Sequence, residues 1–154
     1  MGFGVSGATA VVVVGLFVSA GIFYDAAATS YEAVDEAEDD RAEALLEQRN
    51  TAVAVANAAI QSPGNALVVT MENTGSTTLG VPETTLLAEN VVVPHDANAT
   101  WAVESDTGTE VWLPGETLEV TVSRTWLDTT FDGGDPTRVK VATDTGVSDA
   151  AEVR

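Results

Sequence analysis

The residues that could carry chemistry are few, and the most reactive of them stand together. His95 is the only histidine, and it is followed directly by Asp96. A His–Asp pair is the kind of arrangement that a nucleophilic triad or a metal site would use. The sequence supplies no nucleophile motif, no second histidine and no cysteine to complete either site. We therefore expect an ordinary loop histidine, no enzymatic activity, and no catalytic, cofactor or metal site.

A second cluster of polar residues surrounds a glycine pair. Asp128, Asp132 and Asp135 lie around Gly133-Gly134 and could offer oxygen ligands to calcium. Their spacing does not match an EF-hand loop, which needs acids at alternate positions and a late bidentate glutamate. We prefer to interpret the segment as a polar turn in which one glycine supplies a positive φ.

Composition limits the partners. The chain has 24 acidic and 6 basic residues, a net charge of −18, and Lys140 as its only lysine. Nucleic acids and anionic lipid headgroups would repel such a surface, so neither is an expected partner. Acid excess with 45% hydrophobic residues favours a folded, halophilic protein, because at about 1 M salt the Debye length of about 3 Å screens self-repulsion.

An uncharged run extends from Phe3 to Tyr24. As a helix it would be about 33 Å long, enough to cross a hydrocarbon core of about 30 Å. No lysine or arginine precedes Arg41, whereas a cleaved signal or a pilin-type leader carries a basic stretch. We expect residues 1–24 to remain as a single-pass anchor in lipid. Its anchoring side chains are Phe3, Val11, Val14, Leu16, Val18, Ile22, Phe23 and Tyr24.

The acidic remainder looks exported, so we place the N-terminus in the cytoplasm and the C-terminal domain outside the cytoplasmic membrane. Asn98-Ala99-Thr100 is an N-x-Thr sequon. On an exported domain Asn98 is a candidate for glycosylation.

Residues 25–60 contain neither glycine nor proline and are rich in acids and in good helix formers. This composition predicts an acidic helical stalk. Its narrow apolar stripe is interrupted by Asp35 and Glu38, so pairing of two stalks into a homodimer stays open. The stripe consists of Tyr31, Val34, Ala42, Leu45, Leu46, Val53 and Ala56.

Residues 61–154 change to an alternating pattern. Ser62-Pro63-Gly64-Asn65 is a strong turn signal, and about six or seven short strands follow. They indicate an all-β, immunoglobulin-like antiparallel sandwich, with Trp101, Trp112 or Trp126 as the large core side chain. The predicted strands are LVVTMEN, TTLLAENVVVP, TWAVE, TEVWLPG, TLEVTVSRTW and TRVKVAT. Their predicted inward residues include Leu67, Val69, Met71, Leu118, Val120, Val122, Val139 and Val141.

Four stretches carry a family resemblance. GFGVSGATAVVVVG, DDRAEALLEQRNTAV, ENTGSTTL and WLPGETLEV occur in this order. Together they resemble the FlaF (ArlF) family of archaeal flagellar proteins, in a haloarchaeal member. GFGVSGATA at the start of the apolar run is the most specific of the four. NTGSTTL and WLPGET also occur in other archaeal surface domains, including the partner family FlaG (ArlG).

The resemblance implies a membrane-anchored, non-enzymatic component of the archaellum, whose β-domain binds the S-layer and acts with FlaG as a stator for motility. It marks no residue as an S-layer contact. The alternative is an archaellin- or pilin-like filament subunit, whose N-terminal helix would pack in a filament core instead of lipid.

Overall fold

The computed structural model describes residues 3–61 and 65–154, with the backbone alone for residues 3–6. The chain divides into two units, Met1–Glu43 and Ala44–Arg154, and we call the second the head. A single helix, α1 (Phe3–Asn50), contributes to both. The head continues with β1 (Val53–Gln61), β2 (Ala66–Asn73), β3 (Leu79–Gly80), β4 (Thr85–Ala88), β5 (Val91–Val92), β6 (Ala99–Val103), β7 (Val111–Trp112), β8 (Thr117–Val122), α2 (Arg124–Phe131), β9 (Arg138–Ala142) and β10 (Ser148–Glu152).

The first unit consists of α1, as the apolar run predicts. Its described side chains from residue 7 onward are exposed, apart from the half-buried Ala27 and Ala28. Helix formation continues through the acidic residues because neither glycine nor proline interrupts them. The anchor prediction for Phe3 concerns a side chain outside the described residues.

The helix ends earlier than the sequence predicts. We expected helix as far as Ile60, but α1 stops at Asn50 and β1 occupies Val53–Gln61. The alanines of this stretch favour helix in isolation. Pairing overrides them, because β1 runs antiparallel to β2 from Val53↔Asn73 to Gln61↔Ala66, with an irregularity near Val55.

Two antiparallel four-stranded sheets enclose the core of the head. One has the strand order β1-β2-β8-β6 and the other β10-β9-β4-β5, while β3 and β7 form a separate pair. The fully buried side chains come from both larger sheets, from α2, from β7 and from Val93 just after β5, which confirms a helix followed by an antiparallel sandwich. They are Trp112, Leu67, Met71, Leu86, Leu118, Leu127, Val69, Val93, Val120, Val122, Val139 and Val141.

All eight inward residues named from the alternating pattern are in that buried set. Of the three candidate tryptophans, Trp112 is the fully buried one, and its Nε1 donates to the Glu116 carbonyl at 2.8 Å. Trp101 and Trp126 pack against the core while only partly buried. The side-chain period of two thus predicts the core of β2, β8 and β9.

Three predicted strands are wrong in their extent. TEVWLPG forms a strand only at Val111–Trp112. TTLLAENVVVP folds into the β4–β5 hairpin, because Glu89 and Asn90 both take positive φ, 47° and 66°. TLEVTVSRTW stops as a strand at Val122, because the Ser123 side chain accepts from Trp126 N and caps α2.

Three further strands, β1, β3 and β10, have no counterpart in the sequence prediction. The predicted turn at Ser62-Pro63-Gly64 lies outside the described residues.

Candidate functional site

The apolar segment, residues 7–24 of α1, is the largest exposed hydrophobic feature of the described chain. The anchor residues predicted within it are all exposed, and Phe23 reaches 75%. A helix that is apolar all round is normally buried in a large core or in a membrane. Within the described residues this is the one helix whose length and composition would let it cross a membrane. The exposed anchor residues are Val11, Val14, Leu16, Val18, Ile22, Phe23 and Tyr24.

Three hydroxyls in and just beyond this segment, those of Ser19, Thr29 and Ser30, are paired within the helix. The Ser19 hydroxyl donates to the Gly15 carbonyl at 2.8 Å, and Thr29 donates to the Asp25 carbonyl at 2.9 Å. Such i to i−4 bonds remove the need for water. An unsatisfied hydroxyl in an apolar environment would cost several kcal/mol. The bond from Ser19 to Gly15 avoids that cost.

The remainder of α1, from Asp25 to Asn50, presents acids and a few apolar side chains to solvent. Tyr31, Val34, Leu45 and Leu46, members of the predicted stripe, are all exposed. They are the side chains that a second helix would have to cover.

The end of α1 is bonded to the turn that follows β2. The Asn50 carbonyl accepts from Ser76 N at 2.8 Å and from Thr77 N at 3.3 Å. Gly75 N donates to the Ala52 carbonyl at 3.0 Å. These bonds satisfy carbonyls that a helix C-terminus otherwise leaves unpaired. The last turn of α1 is thereby built into the head.

His95 is used for packing. Its ring stacks on Trp101 with centroids 3.8 Å apart and planes 17° from parallel. His95 Nε2 lies 3.1 Å from the Thr84 carbonyl. Its sequence neighbour Asp96 bonds instead to Asn98, accepting from the backbone N at 2.8 Å and from Nδ2 at 2.9 Å.

The aspartate cluster is organised around an arginine. Arg124 Nε donates to Asp128 Oδ1 at 2.8 Å, Nη1 donates to Asp135 Oδ1, and Nη2 donates to the Gly133 carbonyl at 3.0 Å. The two carboxylates raise the pKa of Arg124. Asp132 adopts the left-handed conformation at the end of α2, and Gly133 has the positive φ expected of a polar turn. No group of three or more potential metal ligands lies together among the described residues.

The Glu89 carboxylate joins the β4–β5 turn to β9. It accepts from the Thr137 hydroxyl and from Thr137 N, the latter at 2.8 Å. These hydrogen bonds, helped by the charge of Arg138, lower the pKa of Glu89. Hydrogen bonds to the charged form favour that form, so the contact is strongest when Glu89 is ionised.

The family described as archaeal-type flagellin matches residues 2–153. The chain belongs to the archaeal-type flagellin family. As a member of that family it is an archaellum-related protein, which agrees with the class of protein that the sequence stretches indicate. No curated protein matches this flagellin-family chain.

Two solved structures have a partial likeness to the flagellin-family chain. The archaellum periplasmic stator protein FlaG from Sulfolobus acidocaldarius aligns over 66% of this chain and 97% of its own, at 15% identity and a TM-score of 0.41. The complex of the archaellum periplasmic stator proteins FlaF and FlaG from the same organism aligns over 64% and 85%, at 13% identity and 0.40.

Sequence reasoning missed two residues that organise this family member. Arg124 was not assigned, although its spacing of four from Asp128 is the spacing of a helical ion pair. Gly75 stands in the NTGSTTL stretch with no role assigned to it, although a Cβ there would lie 2.5 Å from Asn50 O. The sequence has no signal for that approach, because it depends on where α1 ends.

Proposed function

We propose that the protein is a membrane-anchored, non-enzymatic component of the archaellum motor. Its head, outside the cytoplasmic membrane, binds the S-layer and serves as a stator together with a FlaG-type partner. The single observation that carries the anchoring part is the exposed apolar segment in a chain of the archaeal-type flagellin family. The S-layer and FlaG roles follow from the resemblance of the sequence to FlaF proteins.

Lipid is the favoured surrounding of the apolar segment for a physical reason. Leaving bulky side chains such as Leu16, Phe17 and Ile22 in water would cost roughly 1.5–3 kcal/mol each. A bilayer removes that cost, and helical hydrogen bonds satisfy the backbone within it. Phe23 and Tyr24 then lie at the interface, next to Asp25 in the headgroup region.

The orientation is part of the proposal. Eighteen excess negative charges make the remainder soluble in salt water, and the export of an acidic head is consistent with a halophilic envelope. A rotating filament must work against something fixed. An anchor in lipid joined to a head on a rigid surface lattice would supply such a point. The immunoglobulin-like description of the sandwich belongs to the same proposal, as does glycosylation of Asn98.

The experiment is sedimentation of the full-length chain in detergent with isolated S-layer lattice in molar salt. Retention with the lattice supports the adhesive role, and recovery only in the supernatant contradicts it. A soluble version should begin at Ala44, because a fragment beginning at residue 61 would lack nearly all of β1 and its pairing with β2. Full-length protein should also fractionate with membranes.

A filament subunit is the second candidate. The observation that favours it is the match of the archaeal-type flagellin family over residues 2–153. In that case the apolar segment would be covered by the same segment of neighbouring copies. Intact-mass measurement of sheared filaments separates the two candidates: this chain as a major component supports the subunit, and its absence from filaments with retention in membranes supports the anchor.

A further inference from the structure

The outer face of the β10-β9-β4-β5 sheet carries an unusual row of side chains. Lys140 is paired across strands with Ala150 on one side and Leu87 on the other, and Leu87 is paired with Val92. Residues directly opposite each other in antiparallel strands share a face. Since Val139 is fully buried in the core, the row lies on the face away from it.

The charge on this face differs from that of the rest of the head. Lys140 is the only lysine in a chain of net charge −18, and Arg138 lies two residues earlier on the same face of β9. Both are exposed. The nearby acids are Glu89, whose carboxylate is held by Thr137, and Glu152, the cross-strand partner of Arg138. Among the described residues, neither Arg138 nor Lys140 forms an ion pair within 4.0 Å, since both pairs found belong to Arg124.

The same face has a depression and an open edge. Leu87, Glu89, Asn90, Arg138, Val139 and Lys140 line a depression of about 240 Å³. Val92, on the edge strand β5, is 56% exposed. Because Val93 N donates to the Leu86 carbonyl, the alternation of antiparallel bonds turns the N–H and C=O of Val92 away from β4. The edge therefore offers an apolar side chain and backbone groups directed away from β4, with Leu87 between Val92 and Lys140.

We propose that Leu87, Val92, Arg138 and Lys140, the Lys140 face, dock an acidic segment of a different envelope protein. Carboxylates of that segment would contact Lys140 and Arg138, and one of its apolar side chains would cover Leu87 and Val92. In molar salt, screening beyond about 3 Å removes the long-range repulsion from the acidic head. Direct contacts then decide the partner, and Lys140 and Arg138 supply the cationic contacts of a head that is otherwise strongly acidic. The inference rests on the proposed function, in which the head faces a fixed partner.

The first experiment measures retention of full-length variants on isolated S-layer lattice. The double variant Arg138→Glu with Lys140→Glu should bind at least tenfold more weakly, because it replaces both attractions by repulsions. Lys140→Arg, which keeps the charge, should bind within about twofold. Arg49→Glu with Arg154→Glu is the matched control, since it also reverses two exposed cations of the head, neither of which belongs to the proposed face. If the lattice retains the double variant and this control equally, the Lys140 face does not dock the S-layer.

The second experiment uses the single side-chain amine of the protein. A carbodiimide joins an amine to a carboxylate with no spacer, so in native envelopes a cross-link from Lys140 identifies the carboxylate that touches it. We expect a linked peptide rich in aspartate and glutamate from another protein. Lys140→Arg should abolish the link while leaving retention intact.

This second measurement also separates the docking face from the proposed function. If the lattice does not retain the protein but Lys140 still links to an acidic segment of another protein, the S-layer role fails and the docking face stands. Links within one chain only, links to a second copy, or no links overturn the docking face even where the lattice retains the protein. Val92→Asp, compared with Val111→Asp at a valine of similar exposure (47%), should lower the yield severalfold.

Discussion

Replacing Gly75 by alanine tests how firmly the end of α1 is built into the head. A Cβ at this position would lie 2.5 Å from Ala52 N and from Asn50 O, and 3.1 Å from Thr51 C. All three are backbone atoms, so no side-chain rotation relieves the overlap. The turn from Asn73 to Thr77 would have to move away from the helix end, and the hydrogen bonds to the Asn50 carbonyl would lengthen.

The expected cost follows from these contacts. Overpacking of a close approach costs about 1–3 kcal/mol, and one weakened hydrogen bond adds about 1 kcal/mol. The sum is about 2–4 kcal/mol. For a domain of roughly 110 residues, about 4 °C per kcal/mol converts this into a fall in Tm of about 8–16 °C. Circular dichroism of the full-length chain in detergent, at fixed molar salt, measures it.

Gly108→Ala is the matched control. Its added Cβ would meet only the Asp106 carboxylate at 3.3 Å, and this exposed side chain needs to shift by only a few tenths of an ångström while it accepts from Gly108 N. Its Tm should therefore fall by no more than about 2 °C. If Gly75→Ala and Gly108→Ala melt at the same temperature, the turn does not hold the helix end as described, and the reasoning is refuted.

The remaining predictions concern other parts of the chain. Thr137 lowers the pKa of Glu89 below its ordinary 4.5, so the stability from Glu89 is present above that value and is lost as pH falls through the folded-state pKa. Acid titration of Glu89→Gln should show a smaller loss over that range, and identical curves would contradict the contact. Leu127→Ala should cost about 2–5 kcal/mol by denaturant unfolding, and less than about 1 would mean that α2 is not packed on the core. Val14→Arg should lower the membrane-bound fraction, since arginine at mid-membrane costs about 2.5–3.5 kcal/mol; unchanged fractionation argues against lipid. Asn98→Gln should reduce the intact mass of exported protein by one glycan, and a mass change equal to the substitution alone excludes glycosylation.

The sequence predicts the parts of this fold that depend on local pattern. Leu118, Val120 and Val122 alternate with polar residues, and all three are buried. β1 could not be predicted in this way, because its alanines and valines suit helix and strand alike, and its pairing with β2 decides. The cap at Ser123 is a local signal that a continued apolar pattern, including Trp126, obscured.

Of the features of the candidate site, only those that depend on local sequence pattern could be predicted. The apolar segment could be recognised from sequence, because its length and lack of charge are sufficient. The Arg124 cluster could not, because Asp135 returns to it only through the turn at the end of α2. The Lys140 face could not be predicted either, because it depends on the register of β9, β4 and β5, which aligns Lys140 with Leu87 and Val92. Cross-strand neighbours cannot be read from the sequence, because they depend on the register of the strands in the sheet.

The bonding of β1 on both sides has a mechanical consequence. β2 pairs with one edge of β1 along the length of that strand. At the other edge of β1, Ile60 N donates to the Arg154 carbonyl at 3.1 Å, and Arg154 N donates to the Ala58 carbonyl at 3.0 Å. β1 follows α1 after two residues, so tension transmitted by the helix would load the bonds at Asn50 and Ala52 first and then reach this strand. Hydrogen bonds perpendicular to a strand that is pulled lengthwise are sheared together and not unzipped one after another. The sandwich is thus joined to its helix through a strand that is hydrogen-bonded on both of its edges.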